Sequence, residues 1–376
     1  WCFPARQAPP ERLAPRAMLV LLCLACSCLG ILGSPFNPHP LEPVSSNHPF
    51  FEGWFVRVVD HPANRTFSII VGSFQPAHDP NFNQTWAALL YRDSNGVMRT
   101  YQRFVREVNI TERGQPVTHP TDLVSPAIFE FAAPTLGTLL VNDSLATLDF
   151  DFGNLSVSAN LSRRVPWDPK EPNGAGPEGW IGHISKVLPC NYFVQTLASE
   201  VVYSINEPEG ETLGTGFAHS ETNYGVDFPD AWVWAQAISV DGKSQLLLTG
   251  GAFVIAGIST HTYVVAFRAP GREWNFRTTD LDIISPHANA CNATLELIAE
   301  TPLSHRRISL SILAPQDSFS DPLFFPTATG FSDKPGCVES YSATATVTTS
   351  VGGRDVQHHV FPLAALEFGG KMRCSE

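Results

Sequence analysis

The chain has 376 residues, of which 43% are hydrophobic and 16% charged, with a formal net charge of −12. An average globular domain is about 25% charged; a chain this poor in charge, with 25 Phe and 8 Trp, is a folded protein with apolar surface to spare for a wide core or a cavity. The acidic balance and the lack of any Lys/Arg block exclude nucleic acid and anionic lipid as electrostatic partners, which leaves a small apolar ligand, peripheral membrane contact and no expected protein partner.

The first element is a leader. Residues 18–32 form an unbroken apolar run from Met18, with Arg12 and Arg16 upstream. Such a run is short for a bilayer span and fits the apolar region of a cleavable signal segment, with a buried helix or membrane anchor as the alternative. Residues 1–34 are therefore set apart from the folded body as extension and signal peptide. Asn-x-Ser/Thr glycosylation sequons follow at Asn64, Asn83, Asn109, Asn142, Asn154, Asn160 and Asn292. One sequon is a weak motif, but seven behind an apolar leader point to the secretory pathway. The expected destination is secretion or the endoplasmic reticulum lumen, or a plastid reached through that route. Cys2, Cys23, Cys26 and Cys28 precede the body. The four body cysteines, Cys190, Cys291, Cys337 and Cys374, predict two disulfides whose pairing spacing cannot choose.

Along the body, period-2 alternation dominates and helical periodicity is nearly absent. Strands are predicted over 54–59, 66–73, 86–92, 98–105, 127–131, 146–152 and 154–162, then over 200–205, 231–239, 245–253, 262–268, 274–278, 293–299, 308–312 and 341–349. In 146–152, Leu148, Phe150 and Phe152 share one face and Asp149 and Asp151 the other; in 154–162 both sequon asparagines fall on the polar face. Turn signals at Asn95-Gly96, Asp241-Gly242, Pro270-Gly271 and Gly352-Gly353 punctuate the strands. The pattern predicts an all-β protein, barrel or sandwich. Residues 163–177, rich in Pro and Gly, predict a long loop. The expected division is an N-terminal β-domain over 35–162, a connection over 163–210 and a C-terminal β-domain over 211–376.

No nucleophile elbow, phosphate loop, dinucleotide fingerprint or zinc motif is present, so no cofactor and no metal are expected. Two segments carry chemistry instead: Phe50-Phe51-Glu52-Gly53-Trp54-Phe55-Val56-Arg57-Val58, and the stretch from His219 to Gln236 containing Glu221, Asn223, Tyr224, Phe228, Trp232 and Trp234. Each sets a carboxyl among aromatic rings, where burial favours the neutral acid and makes it a proton donor near neutral pH. Trp232, Trp234 and Gln236 alternate onto one face, where paired indoles can line an apolar slot or stabilise a cation. Glu221 and Glu52 are the candidate acids. The competing readings are a strand-end Glu52 paired to Arg57 or to backbone amides and a turn-capping Glu221. Asp227 and Asp230 are expected to be solvated loop residues, and His219 a hydrogen-bonded structural residue or a proton relay.

These two segments resemble the signature stretches of the tocopherol cyclase family, FFEGWYFKV and SEKNWGxxFPxxWxWxQ. The likeness lies in Phe50, Phe51, Glu52, Gly53, Trp54 and Val58, and in Ser220, Glu221, Asn223, Gly225, Phe228, Pro229, Trp232, Trp234 and Gln236. Weaker similarity continues through Leu248-Thr249-Gly250-Gly251, residues 262–277, the surroundings of Cys337 and 364–370. The resemblance implies two lipocalin-like β-barrel or sandwich halves. It also implies acid-catalysed closure of a prenylated hydroquinone or phenol to a chromanol, with Glu221 and Glu52 catalytic and Trp54, Asn223, Tyr224, Phe228, Trp232, Trp234 and Gln236 binding substrate. The sequence departs from the pattern at Thr222, where the family has Lys, at Tyr224, where it has Trp, and at Asn191-Tyr192-Phe193, where it has His-Trp-Gln. Those departures motivate two other readings: a lipocalin-type carrier of an apolar isoprenoid without turnover, and a secreted glycoprotein whose scaffold has become structural.

Overall fold

The computed structural model describes residues 49–76, 84–113, 128–142, 145–171, 175–183, 188–255 and 258–374. The leader with its cysteines and the sequon at Asn83 lie outside them. Among the described residues there are β-strands and short 3₁₀ turns and no α-helix, as the alternation predicts. In β8 (Ala146–Asp151), Leu148 and Phe150 are buried while Asp149 and Asp151 are exposed, because successive strand side chains point to opposite faces. Each such buried apolar side chain is worth about 1.5–3 kcal/mol.

The first sheet has eleven strands. β1 (Phe50–Asp60), β2 (Arg65–Gln75), β3 (Gln84–Arg92) and β4 (Met98–Val105) form one antiparallel meander. β5 (Asn109–Arg113), β6 (Ile128–Ala133), β7 (Gly137–Val141), β8 and β9 (Ser156–Ser162) form another, and the hairpin of β10 (Cys190–Glu207) and β11 (Gly210–Gly225) joins them through β1·β11 and β9·β10 pairs. The second sheet repeats the plan with nine strands. β12 (Ala231–Ile238), β13 (Gln245–Ile255), β14 (Ile258–Ala269) and β15 (Arg272–Arg277) are one meander. β16 (Ile283–Asn289), β17 (Thr294–Thr301) and β18 (Arg306–Leu313) are the other. A two-stranded flap, β19 (Pro326–Thr327) and β20 (Gly330–Phe331), precedes the closing hairpin of β21 (Cys337–Val351) and β22 (Arg354–Gly370). The two lipocalin-like halves therefore share one strand order without a legible sequence repeat.

The passage between sheets lies between Gly225 and Ala231, not near residue 210. Residues 190–225, divided in the sequence reading between a connection and the C-terminal half, are the last two strands of the first sheet. Their hairpin pairs with both β1 and β9, which nothing local in the chain announces. Residues 163–171 and 175–177 form no strand or helix, in keeping with a long loop.

Each sheet wraps its own apolar core. Trp54, Val56, Val58, Phe67, Phe129, Phe150 and Tyr203 belong to the first; Val233, Leu248, Phe267, Leu310, Val347 and Phe368 to the second. A third layer lies where the sheets back onto each other and includes Phe55, Trp86, Tyr192, Trp232, Trp234, Cys337 and Tyr341. Arg57 pins it: Nη1 donates to Gln236 Oε1 at 2.5 Å, Nη2 donates to the Leu363 carbonyl at 2.5 Å, and the guanidinium lies 4.8 Å from the Tyr341 ring centre. Leu363 has φ 53° within the irregular stretch of β22; a bulge there takes a carbonyl out of the ladder and leaves it free for another donor. Burial lowers the Arg57 pKa to about 10, opposed by Tyr341 and Glu339, so it stays charged at neutral pH.

Of the two expected disulfides one is present, Cys291–Cys374. Cys190 and Cys337 are free. Cys190 opens β10 of the first sheet and Cys337 opens β21 of the second, and they line different cavities. Among the described sequons, Asn64, Asn109, Asn154, Asn160 and Asn292 are exposed and Asn142 is half-buried.

Candidate active site between the two sheets

Strand alternation decides which side chains leave the two cores and enter the layer between them. On β11, Ala218 belongs to the first core, so His219, Glu221 and Asn223 turn the other way; on β12, Val233 and Ala235 belong to the second core, so Trp232, Trp234 and Gln236 turn the other way. Across the ladders, Glu221 pairs with Phe55 on one side and Val194 on the other, while Trp234 pairs with Glu367 on β22. Two adjoining cavities of about 130 and 120 Å³ open here. Glu221, Asn223, Phe228, Trp232, Trp234 and Glu367 border both. The first lobe adds Glu178, Cys190, Tyr192 and Tyr263; the second adds Phe51, Trp86, Phe331 and Cys337. A dry apolar cavity of about 150 Å³ takes a benzene ring, so each lobe suits one ring or a short branched hydrocarbon unit.

Glu221 is buried and tightly held. Its Oε2 accepts from the Tyr192 hydroxyl and from Trp234 Nε1 at 3.2 Å, and His219 Nε2 stands 2.7 Å away. Every bond described for Glu221 is made by Oε2, which leaves Oε1 for a ligand. Tyr192 keeps its proton, its pKa raised well above the ordinary value by burial and by Glu221; it is a donor at any physiological pH. Opposite stands Glu367, whose Oε1 accepts from the Trp232 indole N–H. Burial, with a contribution from the Glu221 charge, pushes Glu367 up to about 7 against the pull of Trp232 and the Cys337 thiol. Glu178, whose Oε1 accepts from the Tyr192 amide at 3.1 Å, is pushed up to about 8 by burial. The chamber thus holds acids that keep their proton, wholly or in part, near neutral pH, facing aromatic rings.

Packing sets the rings as deliberately as the carboxyls. Trp234 meets Phe55 edge-on at 5.2 Å, and Phe228 meets Trp232 at 4.9 Å and Phe51 at 5.5 Å. Trp232 lies against the backbone of Gly369, its ladder partner, where a Cβ would stand 2.0 Å from the indole. That close approach demands glycine.

The expected site residues divide. Glu221, Asn223, Phe228, Trp232 and Trp234 meet at the shared wall. Glu52 does not join them: it shares its β1 face with Trp54, opposite Tyr224 of β11, whereas Glu221 shares a face with Phe55. Glu52 borders the second lobe, but the two acids are on opposite faces of the sheet. Trp54 stacks on Phe129 with ring centres 3.8 Å apart, within the first core, and like Glu52 it borders the second lobe; Tyr224 is buried on the same side as Glu52. Gln236 is spent on Arg57. Asp230 is an exposed partner of Lys371 at 2.6 Å, and Asp227 is exposed. His219 is a hydrogen-bonded partner of Glu221. Tyr192, Glu178 and Glu367 are functional candidates that sequence reasoning left out. Tyr192 and Glu367 sat inside stretches aligned with the family pattern, the only signal that marked them.

No family model matches the chain, and no curated protein is similar to it in sequence; the tocopherol cyclase resemblance stands on its two motifs. Among solved structures, CghA matches with a TM-score of 0.59 at 12% identity, covering 92% of this chain and 98% of CghA. CghA with Sch210972 matches with a TM-score of 0.58 at 12% identity, covering 86% and 88%. A looser likeness, with a TM-score of 0.45 at 10% identity over 91% and 96% of the chains, is to kievitone hydratase from Nectria haematococca. The two CghA structures establish a common fold across nearly the whole described chain.

Proposed function

We propose that this protein is an acid-catalysed cyclase acting on a prenylated phenol or hydroquinone in the chamber between its sheets. The observation that carries the reading is the facing pair Glu221 and Glu367, one fixed by three neighbours and the other protonated near neutral pH, on an apolar aromatic wall. Glu367 donates its proton to the less substituted carbon of a trisubstituted alkene, giving a tertiary carbocation. The phenol oxygen bonds to that cation, and Glu221 takes the phenolic proton. One C–H and one C–O bond form, one C=C π bond and one O–H bond break, and no electrons leave the substrate. Trp232 and Trp234 face the cation, where indole rings contribute about 1–2 kcal/mol by cation–π attraction. Asn223, on the shared wall, is placed to hold the phenol head.

Lobe size supports a substrate with one ring in one lobe and an isoprene end in the other. A bound small molecule in a protein of the same fold, CghA with Sch210972, supports a ligand-binding role for the architecture. The exposed sequons and the Cys291–Cys374 disulfide support the secretory route.

The test is incubation of purified protein with a dimethyl phytyl hydroquinone and shorter-chain analogues, followed by chromatography for chromanol. Product that vanishes in Glu221→Gln and Glu367→Gln confirms the assignment. Ligand retained through purification with no conversion makes the protein a carrier, and neither product nor ligand leaves a structural glycoprotein.

A further inference from the structure

Beside Glu367, and not among the residues that line either lobe, lies a carboxyl that the proposed reaction does not use. Glu339 of β21 is the direct ladder partner of Glu367, and it has no solvent exposure. The strand places it between Cys337, which lines the second lobe, and Tyr341, which packs in the layer between the sheets. Cross-strand neighbours stand about 4.5–5.5 Å apart at Cβ. Neither Glu339 oxygen has a hydrogen bond of full geometry among the described residues, and the Tyr341 hydroxyl is the donor that bears on it. Its nearest hydroxyl candidate, Tyr341, donates to Ser68 at 2.5 Å. An ionised carboxylate buried without donors is costly, and protonation is the usual escape.

The charges around the pair limit how many carboxyls can ionise. Glu221 faces it from β11, Tyr192 from β10, Glu178 from the loop after β9, and Cys337 and Tyr341 from β21, while Glu52 borders the second lobe from β1. The cation that bears directly on Glu339 is Arg57, already bonded to Gln236 and to the Leu363 carbonyl; Arg268 is buried in the same layer against Trp167, where it donates to the Trp274 carbonyl and to Asn275, and Arg373 bears on Cys337. Arg92, which also bears on Arg57, is bonded to Ser342 and to Asn64 near the rim of the layer. Arg57 alone cannot offset Glu339 and Glu367 together, and like charges across one ladder rung do not ionise together.

We propose that Glu339 and Glu367 work as one proton-sharing carboxyl pair, in which Glu339 is a positioning residue that keeps Glu367 loaded with the proton it gives to the alkene. The inference rests on Glu367 as proton donor. When Glu367 releases its proton to substrate, Glu339 remains neutral beside the new carboxylate and can hydrogen-bond to it. The proton collected by Glu221 returns to the pair once product leaves. Burial and Glu367 both raise the Glu339 pKa, with Arg57 and the Tyr341 hydroxyl opposing, in agreement with that arrangement.

Infrared titration of the full-length protein tests the pair without any substrate, so a failed turnover assay leaves the result standing. The protonated-carboxyl C=O stretch is followed from about pH 5 to about pH 9, in a Glu178→Gln background that removes a further acid raised into this range. The expected result is two coupled steps above the ordinary carboxylate range. Glu339→Gln then leaves one step, moved down by about one pH unit or more as the like charge disappears. Glu367→Gln does the reciprocal to the Glu339 step, and it decides the matter alone if Glu339→Gln does not fold. A single step unmoved by the substitution, or no protonated carboxyl at neutral pH, overturns the proposal.

Discussion

The two sheets are laid out on the same plan, yet they put differently prepared carboxyls on the shared wall. The first sheet offers Glu221, tied by Tyr192, Trp234 and His219 into one geometry. The second offers Glu367, held by the Trp232 indole and raised to about 7 by burial beside other acids. A carboxyl surrounded by donors is organised to receive charge; one surrounded by rings and by other acids is organised to give up a proton. The lesson is that two sheets of one plan supply two similar walls, and unequal hydrogen bonding then prepares their carboxyls differently, as the proposed reaction requires.

That division can be broken most sharply at the carboxyls themselves. Glu221→Gln and Glu367→Gln should each lower chromanol formation by about two to four orders of magnitude, the usual worth of a positioned acid or base, while leaving the melting behaviour close to that of the parent. A loss of fewer than tenfold at either position would end the assignment of that residue. A contrasting outcome is expected at Trp54, whose ring packs on Phe129 in the first core although the residue also borders the second lobe. Trp54→Ala should cost about 3–5 kcal/mol of stability by chemical denaturation, with turnover per folded molecule unchanged; a purely catalytic defect there would move Trp54 back to the substrate. Tyr192→Phe removes one donor to Glu221 and leaves two neighbours in place, so a fall of about tenfold in kcat is expected, near the lower end for a hydrogen bond to a charged group. Unchanged kinetics would mean that Glu221 is held by His219 and Trp234 alone.

A further effect is on pH-dependent stability. The Glu367 pKa rises from 4.5 to about 7 on folding. Between those values the folded state keeps a proton that the unfolded chain has released, so stability falls as pH rises through that window. Urea midpoints measured from about pH 5 to about pH 8 should decline, and Glu367→Gln should flatten the decline. An identical slope in the variant would show that Glu367 titrates normally.

Much of the architecture was legible because it is local. The Leu148-Phe150 and Val157-Ala159-Leu161 alternations needed only a two-residue period, and both strands appear with the expected faces buried. The strand β11 was harder, since Gly210–Gly225 mixes glycines, threonines and polar residues and pairs with β1, distant in sequence. The same holds for β22, whose irregular stretch around Leu363 interrupts the period. The site was legible only in part. The Glu221, Asn223, Trp232 and Trp234 pattern lies on two strands consecutive in the chain, so one segment carried it. Glu52 looked equivalent to Glu221 because each sits among rings in sequence. Which sheet face each occupies depends on register, and a one-residue difference in parity sends a side chain to the other face.

From the chain alone came the all-β character, the acidic and charge-poor surface, the aromatic segments and the candidate Glu221, because each follows from composition or from a period of two. The tertiary structure decided that residues 190–225 belong to the first sheet, that Cys190 and Cys337 stay apart, and that the chamber lies between the sheets and outside both cores. It also brought Tyr192 and Glu367 to Glu221. Those outcomes depend on which distant strands pair and on how two folded sheets back onto each other, and no short-range pattern in the chain encodes a neighbour 29 residues away, as Tyr192 is from Glu221, or farther, as Glu367 is.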